Sequence, residues 1–197
     1  MTPLVSILIP CYNAAPWLAQ TLESALAQTW PNKEIIVVDD GSGDDSASIA
    51  RTYADRGVRL ISQENRGSSA ARNHAWRNAQ GEFFQFLDAD DLINPDKISA
   101  QLSTLASRSA GTLASCAWGR FRNDPANAKF IDEAVFGDFS PIDFLALSAR
   151  TGVMMHPSAW LVPHAVADRA GPWDEALTLN DDGEYFCRVL LASNGIA

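Results

Sequence analysis

Cysteine, positive charge and long apolar runs are all scarce in this sequence of 197 residues. The three cysteines, Cys11, Cys116 and Cys187, lie far apart and form neither a zinc-binding pattern nor a disulfide framework, so we expect a reducing compartment. No apolar stretch approaches the roughly 20 residues that a membrane-spanning helix needs. No basic segment precedes the first apolar run, so we expect no signal peptide. These absences favour a cytoplasmic protein, and a position at the inner face of the membrane stays open.

Basic residues are outnumbered by acidic ones, 15 to 24, which gives a formal net charge of −9. A surface with this charge repels a phosphate backbone, so we expect no nucleic-acid partner. Any nucleotide ligand would need a metal ion, a helix N-terminus or a few placed arginines to hold its phosphates. Hydrophobic residues make up 47% of the chain, which is typical of a globular domain rather than of a disordered chain.

Glycine is missing after the first predicted strand. Residues 5–9 are apolar, Pro10 is expected to end this strand, and the segment 10–15 contains no glycine. A nicotinamide-dependent oxidoreductase needs a glycine-rich turn at this place to approach the phosphates of its cofactor. A sugar nucleotidylyltransferase needs a similar loop for a triphosphate. Both classes are therefore disfavoured, although the nucleotidylyltransferase remains an alternative.

Strand-like and helix-like segments alternate through the first half of the chain. The predicted strands cover residues 5–9, 34–38, 58–62 and 83–87, and the predicted helices cover 17–28, 46–54, 69–79 and 94–107. We expect Asn94 to cap the last of these helices. This order predicts an α/β fold with a Rossmann-like, mostly parallel central sheet and helices on both faces.

The second half has weaker periodicity. Its predicted elements are strands at 113–117 and 157–162, a loop region at 123–137 and a helix at 184–192. We find no repeat, low-complexity tract or linker, so residues 1–197 are predicted to form a single domain. Its nucleotide-binding half would be 1–97 and its acceptor-side half 98–197.

Three polar clusters follow predicted strands: residues 10–13, 39–42 and 88–91. Because ligands bind beyond the carboxyl ends of parallel strands, we expect the three clusters to meet at one edge of the sheet. The cluster 88–91 contains three carboxylates, which suit a hard divalent ion such as Mn²⁺ or Mg²⁺ bridging to substrate phosphates. A solvated turn explains this cluster about equally well, and a turn is the favoured interpretation of 39–42 taken alone.

In this order, the segments resemble glycosyltransferase family 2, which has the GT-A fold. The matching segments are Val5-Ser6-Ile7-Leu8-Ile9-Pro10-Cys11-Tyr12-Asn13, Glu34-Ile35-Ile36-Val37-Val38-Asp39-Asp40-Gly41-Ser42, Asn65-Arg66-Gly67 through Arg72-Asn73, Phe86-Leu87-Asp88-Ala89-Asp90-Asp91, Gly171-Pro172-Trp173-Asp174-Glu175, and Asp181-Asp182 with Arg188. The resemblance is strong over residues 4–97 and loose over 110–165.

This resemblance implies an inverting, metal-assisted transfer from a nucleoside-diphosphate sugar, with UDP as the expected nucleotide, to a carbohydrate or lipid-linked acceptor. Peripheral membrane association is compatible with such an acceptor. The implied general base is Asp182. The implied metal ligands, for Mn²⁺ or Mg²⁺, are Asp88, Asp90 and Asp91. The implied nucleotide-binding residues are Pro10, Tyr12, Asn13, Asp40, Arg72, Asp88 and Asp90.

The sequence departs from the family pattern at the catalytic block and at its end. Asp181 stands where the family usually has glutamate, and Gly183 stands where a larger residue is common. Family members usually continue beyond the point reached at Ala197, so we expect an incomplete C-terminal part. A non-catalytic nucleotide-binding module is the alternative function. His74, His156 and His164 are expected to be packed or surface residues, and Trp173 is expected to line the core or the pocket rather than to stack on a sugar.

Overall fold

The protein is described by a computed structural model that covers residues 2–122, 124–153 and 155–197. Its strands are β1 (Val5–Cys11), β2 (Lys33–Asp40), β3 (Val58–Gln63), β4 (Phe83–Phe86), β5 (Gly119–Arg120), β6 (Lys129–Phe130) and β7 (Val162–Pro163). Its α-helices are α1 (Leu18–Leu26), α2 (Ser46–Thr52), α3 (Ser68–Arg77), α4 (Lys97–Leu105), α5 (Pro141–Thr151), α6 (His164–Ala170) and α7 (Asp181–Ala192).

The central sheet has the strand order β3-β2-β1-β4-β7. The first four strands are parallel, and only the short β7 runs antiparallel, beside β4. The register places Cys11 beside Asp39 and Asp40 beside Gln63, so the polar ends of β1, β2 and β3 lie next to one another. The predicted mostly parallel sheet is confirmed.

Alternate residues of β1 enter two separate hydrophobic cores. Leu8 packs into a core that includes side chains of α3, α5, α6 and α7. Ile7 and Ile9 point to the opposite face and pack with side chains of α1, α2 and α4. Each of these fully buried aliphatic side chains contributes about 1.5–3 kcal/mol through burial. Helices therefore cover both faces of the sheet, as predicted.

The predicted ends of β1, β2 and β3 fall short of the observed ones, that of β3 by one residue. β1 continues through Pro10 to Cys11, because beyond Leu8 it pairs with β2 alone and a residue without an N–H is tolerated at such an edge. β2 continues through Asp40, which was predicted to lie in a loop, because Asp40 still pairs with Gln63. The extra pairing holds the polar residues on rigid strands.

The predicted start of α4 is also wrong. The helix begins at Lys97 rather than at residue 94, and Asp96 occupies the N-cap position. Asn94 caps a preceding turn instead, with its Oδ1 accepting the backbone N–H of Asp96 at 3.0 Å. The helix ends at Leu105, two residues before the predicted end.

The second half differs most from expectation. The strand predicted at 113–117 is reduced to isolated bridges at Leu113 and Ala114, and the one predicted at 157–162 is a 3-10 turn, Pro157–Ala159, followed by β7. The loop predicted at 123–137 contains β6, and its first residue, Asn123, lies outside the described residues. Helices α5 and α6 were not predicted. Among the described residues, no helix is long and apolar enough to cross a membrane.

Candidate functional site

A cleft of about 400 Å³ opens at the carboxyl ends of β1, β2 and β4. The three polar clusters predicted from the sequence meet there, because the strands that carry them are parallel neighbours. All seven residues predicted to contact a nucleotide lie on its wall: Pro10, Tyr12, Asn13, Asp40, Arg72, Asp88 and Asp90. The structure thus brings these residues together, and their contact with a nucleotide stays a prediction.

The loop after β1 is fastened to the loop after β2. Asn13, which adopts a left-handed backbone conformation with φ of 50°, donates its N–H to Ser42 Oγ at 3.0 Å. Its side-chain Oδ1 accepts the N–H of Gly43 at 2.8 Å. These bonds leave Tyr12 with 55% of its side chain exposed at the mouth of the cleft. Tyr12 therefore offers an aromatic face to a ligand, and Asn13 shapes the loop.

Asp40 lies at the bottom of the cleft and is only 2% exposed. Its Oδ1 accepts Gln63 Nε2 at 2.7 Å and the N–H of Arg66 at 2.9 Å, and its Oδ2 accepts the N–H of Gly67 at 2.8 Å. A carboxylate has about four acceptor positions, so one stays available for a ligand N–H. Asp40 also fixes the loop that leads into α3, a role that the sequence did not reveal.

Arg72 connects the two halves of the chain. The residue is only 5% exposed. Its guanidinium donates from Nη2 to Asp88 Oδ1 at 2.8 Å and from Nη1 to Asp181 Oδ2 at 3.0 Å, and it lies 4.5 Å from the ring centroid of Trp173. Charge-assisted bonds from a buried guanidinium hold their partners firmly. Asp88 at the end of β4 and Asp181 at the start of α7 are therefore held on either side of one cation.

The acid pair Asp181 and Asp182 forms the beginning of α7. Burial raises the pKa of Asp181, but its hydrogen bond with Asp182, the charge of Arg72 and the hydroxyls of Ser68 and Ser69 outweigh this effect and lower that pKa. The pKa of Asp182 is raised, first by burial and then by its hydrogen bond with Asp181 and the charge of that residue. Asp182 is thus the more basic of the two carboxylates, which suits a proton acceptor.

A capping role for Asp182 is excluded by its position. The N-cap of α7 is Asn180, with φ of 57°, and Asp182 is the second residue of the helix. The unusual Gly183 has a local reason, since a Cβ at this position would collide with the side chain of Asn180. The glycine therefore permits this helix start.

His156 joins two of the acids near the cleft. Oxygens of Asp88 and Asp91 and a ring nitrogen of His156 lie within 4.8 Å of one another, a spacing that a metal ion can bridge. His156 Nε2 is 3.2 Å from Asp91 Oδ2 and 3.9 Å from Asp88 Oδ2. His156 Nδ1 accepts the backbone N–H of Ser158 at 3.2 Å and lies 2.8 Å from Ser158 Oγ, so Nε2 is the ring nitrogen that faces the two acids.

These residues fit a divalent cation. Asp91 Oδ2 is buried and makes no hydrogen bond to any of the described residues, although His156 Nε2 lies 3.2 Å away. Burial raises the pKa of Asp91 to about 6, and the charges of Asp88 and Asp90 add to the effect while His156 opposes it. A cation bound here would give Asp91 Oδ2 a partner and would reduce the repulsion between the neighbouring carboxylates. Asp90 is exposed on the cleft wall and lies outside this group, so its role as a ligand stays a prediction.

Sequence reasoning missed two features of the site and placed a third correctly. His156 was expected to be packed or exposed, and nothing in the sequence indicated its approach to residues 88–91. Trp17 and Ser68 line the cleft without having been predicted. Trp173 is 1% exposed and stacks on Tyr185 with ring centroids 3.9 Å apart, which rules out stacking on a sugar and confirms its place in the core.

Relatives of this chain are glycosyltransferases by name. An uncharacterized glycosyltransferase of Rickettsia typhi is 32% identical over 194 residues, covering 98% of this chain and 60% of the relative. The putative glycosyltransferase EpsH of Bacillus subtilis is 46% identical over 105 residues, covering 52% of this chain and 30% of the relative. The chain therefore spans about three fifths of the Rickettsia protein.

Two solved structures share the fold. TarS 1–349 of S. aureus in complex with UDP superposes with a TM-score of 0.81 at 22% identity, over 98% of this chain and 56% of that one. The mannosyltransferase PcManGT of Pyrobaculum calidifontis, in complex with GDP-Man and Mn²⁺, gives 0.71 at 21% identity, over 100% of this chain and 57% of that one. This likeness confirms the predicted GT-A fold. The model of the glycosyl transferase family 2 matches residues 6–144, and the chain therefore belongs to that family.

Proposed function

We propose that this chain carries the donor site and the catalytic base of an inverting glycosyltransferase that moves a sugar from a UDP-sugar to an acceptor hydroxyl. One observation carries the proposal: Arg72 holds Asp88 of the cleft and Asp181 of the acid pair at 2.8 and 3.0 Å. A nucleotide in the cleft would therefore place its sugar near Asp182. A member of glycosyl transferase family 2 with this arrangement has the groups that the reaction needs.

The donor nucleotide would occupy the cleft between Tyr12 and Asp40. Tyr12 presents an exposed ring for contact with the base, and Asp40 has one acceptor position left for a base N–H. UDP is proposed because TarS, which shares the fold, is solved in complex with UDP and with UDP-GlcNAc. The sugar itself is left unassigned, because PcManGT is solved with GDP-Man on the same fold.

In the proposed reaction, Asp182 takes the proton of the acceptor hydroxyl while that oxygen forms a bond to the anomeric carbon. The bond from this carbon to the diphosphate oxygen breaks on the opposite face, and UDP leaves with the electron pair. The anomeric configuration is inverted. Asp181 stays ionised beside Arg72, and burial together with the charge of Asp181 keeps Asp182 basic.

Asp88, Asp91 and His156 would hold Mn²⁺ or Mg²⁺, with Asp90 as a further candidate. Such an ion supplies positive charge to a departing diphosphate. An acidic chain with a net charge of −9 needs this charge, or that of Arg72, beside an anionic ligand. The Mn²⁺ in the PcManGT complex supports the choice of metal.

The acceptor would approach from the second half of the chain. There, β5 and β6 form a hairpin that exposes Phe130 and Ile131 beside the basic residues Arg120 and Lys129. An apolar and basic surface on an acidic protein suits an acceptor carried on an anionic membrane. Peripheral membrane contact and a cytoplasmic location belong to this proposal.

Incubation of the protein with several UDP-sugars and Mn²⁺ tests the function. We expect slow release of UDP, with water replacing the acceptor, and loss of that release in Asp182→Asn. UDP binding without any release, in the chain and in a version extended to the length of its relatives, would favour the non-catalytic binding module. Failure to bind UDP at all would overturn the proposal.

A further inference from the structure

Lys97, the first residue of α4, is a buried lysine that pairs with uncharged partners. Its side chain is 9% exposed, and among the residues that the structure describes its ammonium makes no ion pair. It donates to Gln85 Oε1 and, at 2.7 Å, to Gln101 Oε1. Burial lowers the pKa of Lys97 to about 8. Since a buried charge without a counter-ion is costly, its presence calls for a functional reason.

The lysine fixes the orientation of two glutamine amides. An ammonium group can only donate hydrogen bonds, so both glutamines must present their oxygens to it and turn their amide nitrogens away. Gln85 Nε2 then donates to the carbonyl of Ser158 at 2.9 Å, and Gln101 Nε2 donates to that of Ala159 at 2.9 Å. Both carbonyls belong to the 3-10 turn that follows His156. Lys97 thus determines which groups hold this turn.

The same network spans the acids of the candidate metal site. Gln85 lies on β4, three residues before Asp88, and Lys97 begins the helix that follows Asp91. The segment that carries both carboxylates is therefore joined to the turn after His156 directly through Gln85 at one end, and through Lys97 and Gln101 at the other.

We propose that Lys97 is a positioning residue that sets the distance between His156 and the carboxylates of Asp88 and Asp91, and thereby the affinity of this site for a divalent ion. The inference rests on the proposed metal-assisted function. Residues that orient metal ligands without touching the ion typically change its affinity by about 10- to 100-fold when they are replaced.

The variant Lys97→Met removes the ammonium and keeps most of the side-chain volume. Mn²⁺ binding to the 197-residue chain would be followed by calorimetry and by the paramagnetic resonance signal of free Mn²⁺, with thermal melting in parallel. We expect a cooperatively folded protein with Mn²⁺ affinity reduced about 10- to 100-fold. A lowered melting temperature with unchanged Mn²⁺ affinity would show a purely structural role and overturn the proposal.

Lys33→Met is the matched control. Lys33 is a half-buried lysine whose ammonium also donates two hydrogen bonds, to the carbonyls of Gln28 at 2.9 Å and Trp30 at 3.2 Å. It lies at the opposite end of the sheet, at the start of β2. Its replacement removes the same charge and should leave Mn²⁺ affinity unchanged. An equal loss of affinity in both variants would contradict a specific role for Lys97.

If Lys97→Met does not fold, Gln85→Glu provides a second test that separates an effect on the position of His156 from an effect on the stability of the protein. Glutamate keeps the size of glutamine and gives the buried ammonium a counter-ion, but it cannot donate to the carbonyl of Ser158. We expect a folded protein with weakened Mn²⁺ binding, and unchanged binding would overturn the proposal. A wild-type chain that binds no Mn²⁺ would instead overturn the metal-assisted function, which is a distinguishable result.

Discussion

The first and second halves of the chain build the site in different ways. Residues 1–97 supply four parallel strands, and their polar residues meet because adjacent strands end at the same edge. Residues 98–197 add short elements, yet they provide Asp181, which accepts a hydrogen bond from Arg72 and precedes Asp182 in α7, and His156, which approaches Asp91. Regular pairing thus determines the first half of the site, and individual buried polar contacts determine the second.

The two halves of the site should respond differently to substitution. Asp40 ends β2, where it pairs with Gln63, and Asp88 lies two residues after β4, so single substitutions at these positions should alter binding locally. The position of Asp182 depends on α7, which is joined to the first half where Asp181 accepts hydrogen bonds from Arg72 at 3.0 Å, Ser68 at 3.0 Å and Ser69 at 3.1 Å. Binding and catalysis should therefore be separable by mutation.

The largest effect is expected for Asp182→Asn. Removal of a general base typically costs on the order of 10²- to 10⁴-fold in rate, whereas the donor is held by groups of the first half. We expect near-normal UDP affinity by calorimetry and the loss of nearly all transfer in a version of the protein extended to the length of its relatives. Asp181→Asn is the control and should be milder. Transfer at the wild-type rate by Asp182→Asn would refute its role.

Chelation of the metal should have the next largest effect, on binding rather than on catalysis alone. Loss of a charged contact worth about 1.5–3 kcal/mol corresponds to roughly 10- to 100-fold in affinity. We expect UDP titrations in excess chelator to show at least this loss compared with titrations in Mn²⁺. Equal UDP affinities with chelator and with Mn²⁺ would show that the metal takes no part in binding the donor.

Asp40→Ala should weaken UDP binding by a factor of about ten, the value of one charge-assisted hydrogen bond of roughly 1.5 kcal/mol. Because Asp40 also accepts the N–H groups of Arg66 and Gly67, the alanine variant should melt at a lower temperature as well. Asp40→Asn keeps one acceptor oxygen and serves as the comparison. Unchanged UDP affinity in a folded Asp40→Ala variant would show that Asp40 holds the loop before α3 and does not bind the nucleotide.

The smallest expected effect is a displacement of the acidic limb of the pH–rate profile. The raised pKa of Asp182 means that it becomes protonated, and inactive as a base, at a higher pH than an ordinary aspartate as the pH falls. Asp181→Asn removes the neighbouring charge and should move this limb to lower pH. Rate measurements across the acidic range, at saturating donor, check the direction, and an unmoved limb would show that Asp181 does not tune Asp182.

Sequence patterns predict nearly all of the architecture of the first half. Alternation of apolar strands with amphipathic helices predicts a parallel sheet, and a parallel sheet brings residues 10–13, 39–42 and 88–91 together. Its errors were at boundaries, as at Pro10 and Asn94, where pairing with a single neighbour or a local turn outweighed propensity. The acid pair, Asp181 and Asp182, was predicted only through resemblance to a family, because its distance along the sequence from the strands does not indicate that it lies near them.

The contacts between the second half and the residues beside the cleft depend on tertiary packing. His156 lies 65 residues after Asp91 in the sequence (156 − 91), and periodicity cannot report a contact of 3.2 Å across that separation. Sequence patterns also did not predict the burial of Lys97, the hydrogen bonds of Asp40 to the loop before α3, or the bridge made by Arg72. Each of these features is a buried polar contact between two particular groups. Hydrophobic patterning predicts where helices and strands lie, but it does not specify which polar groups pair with each other.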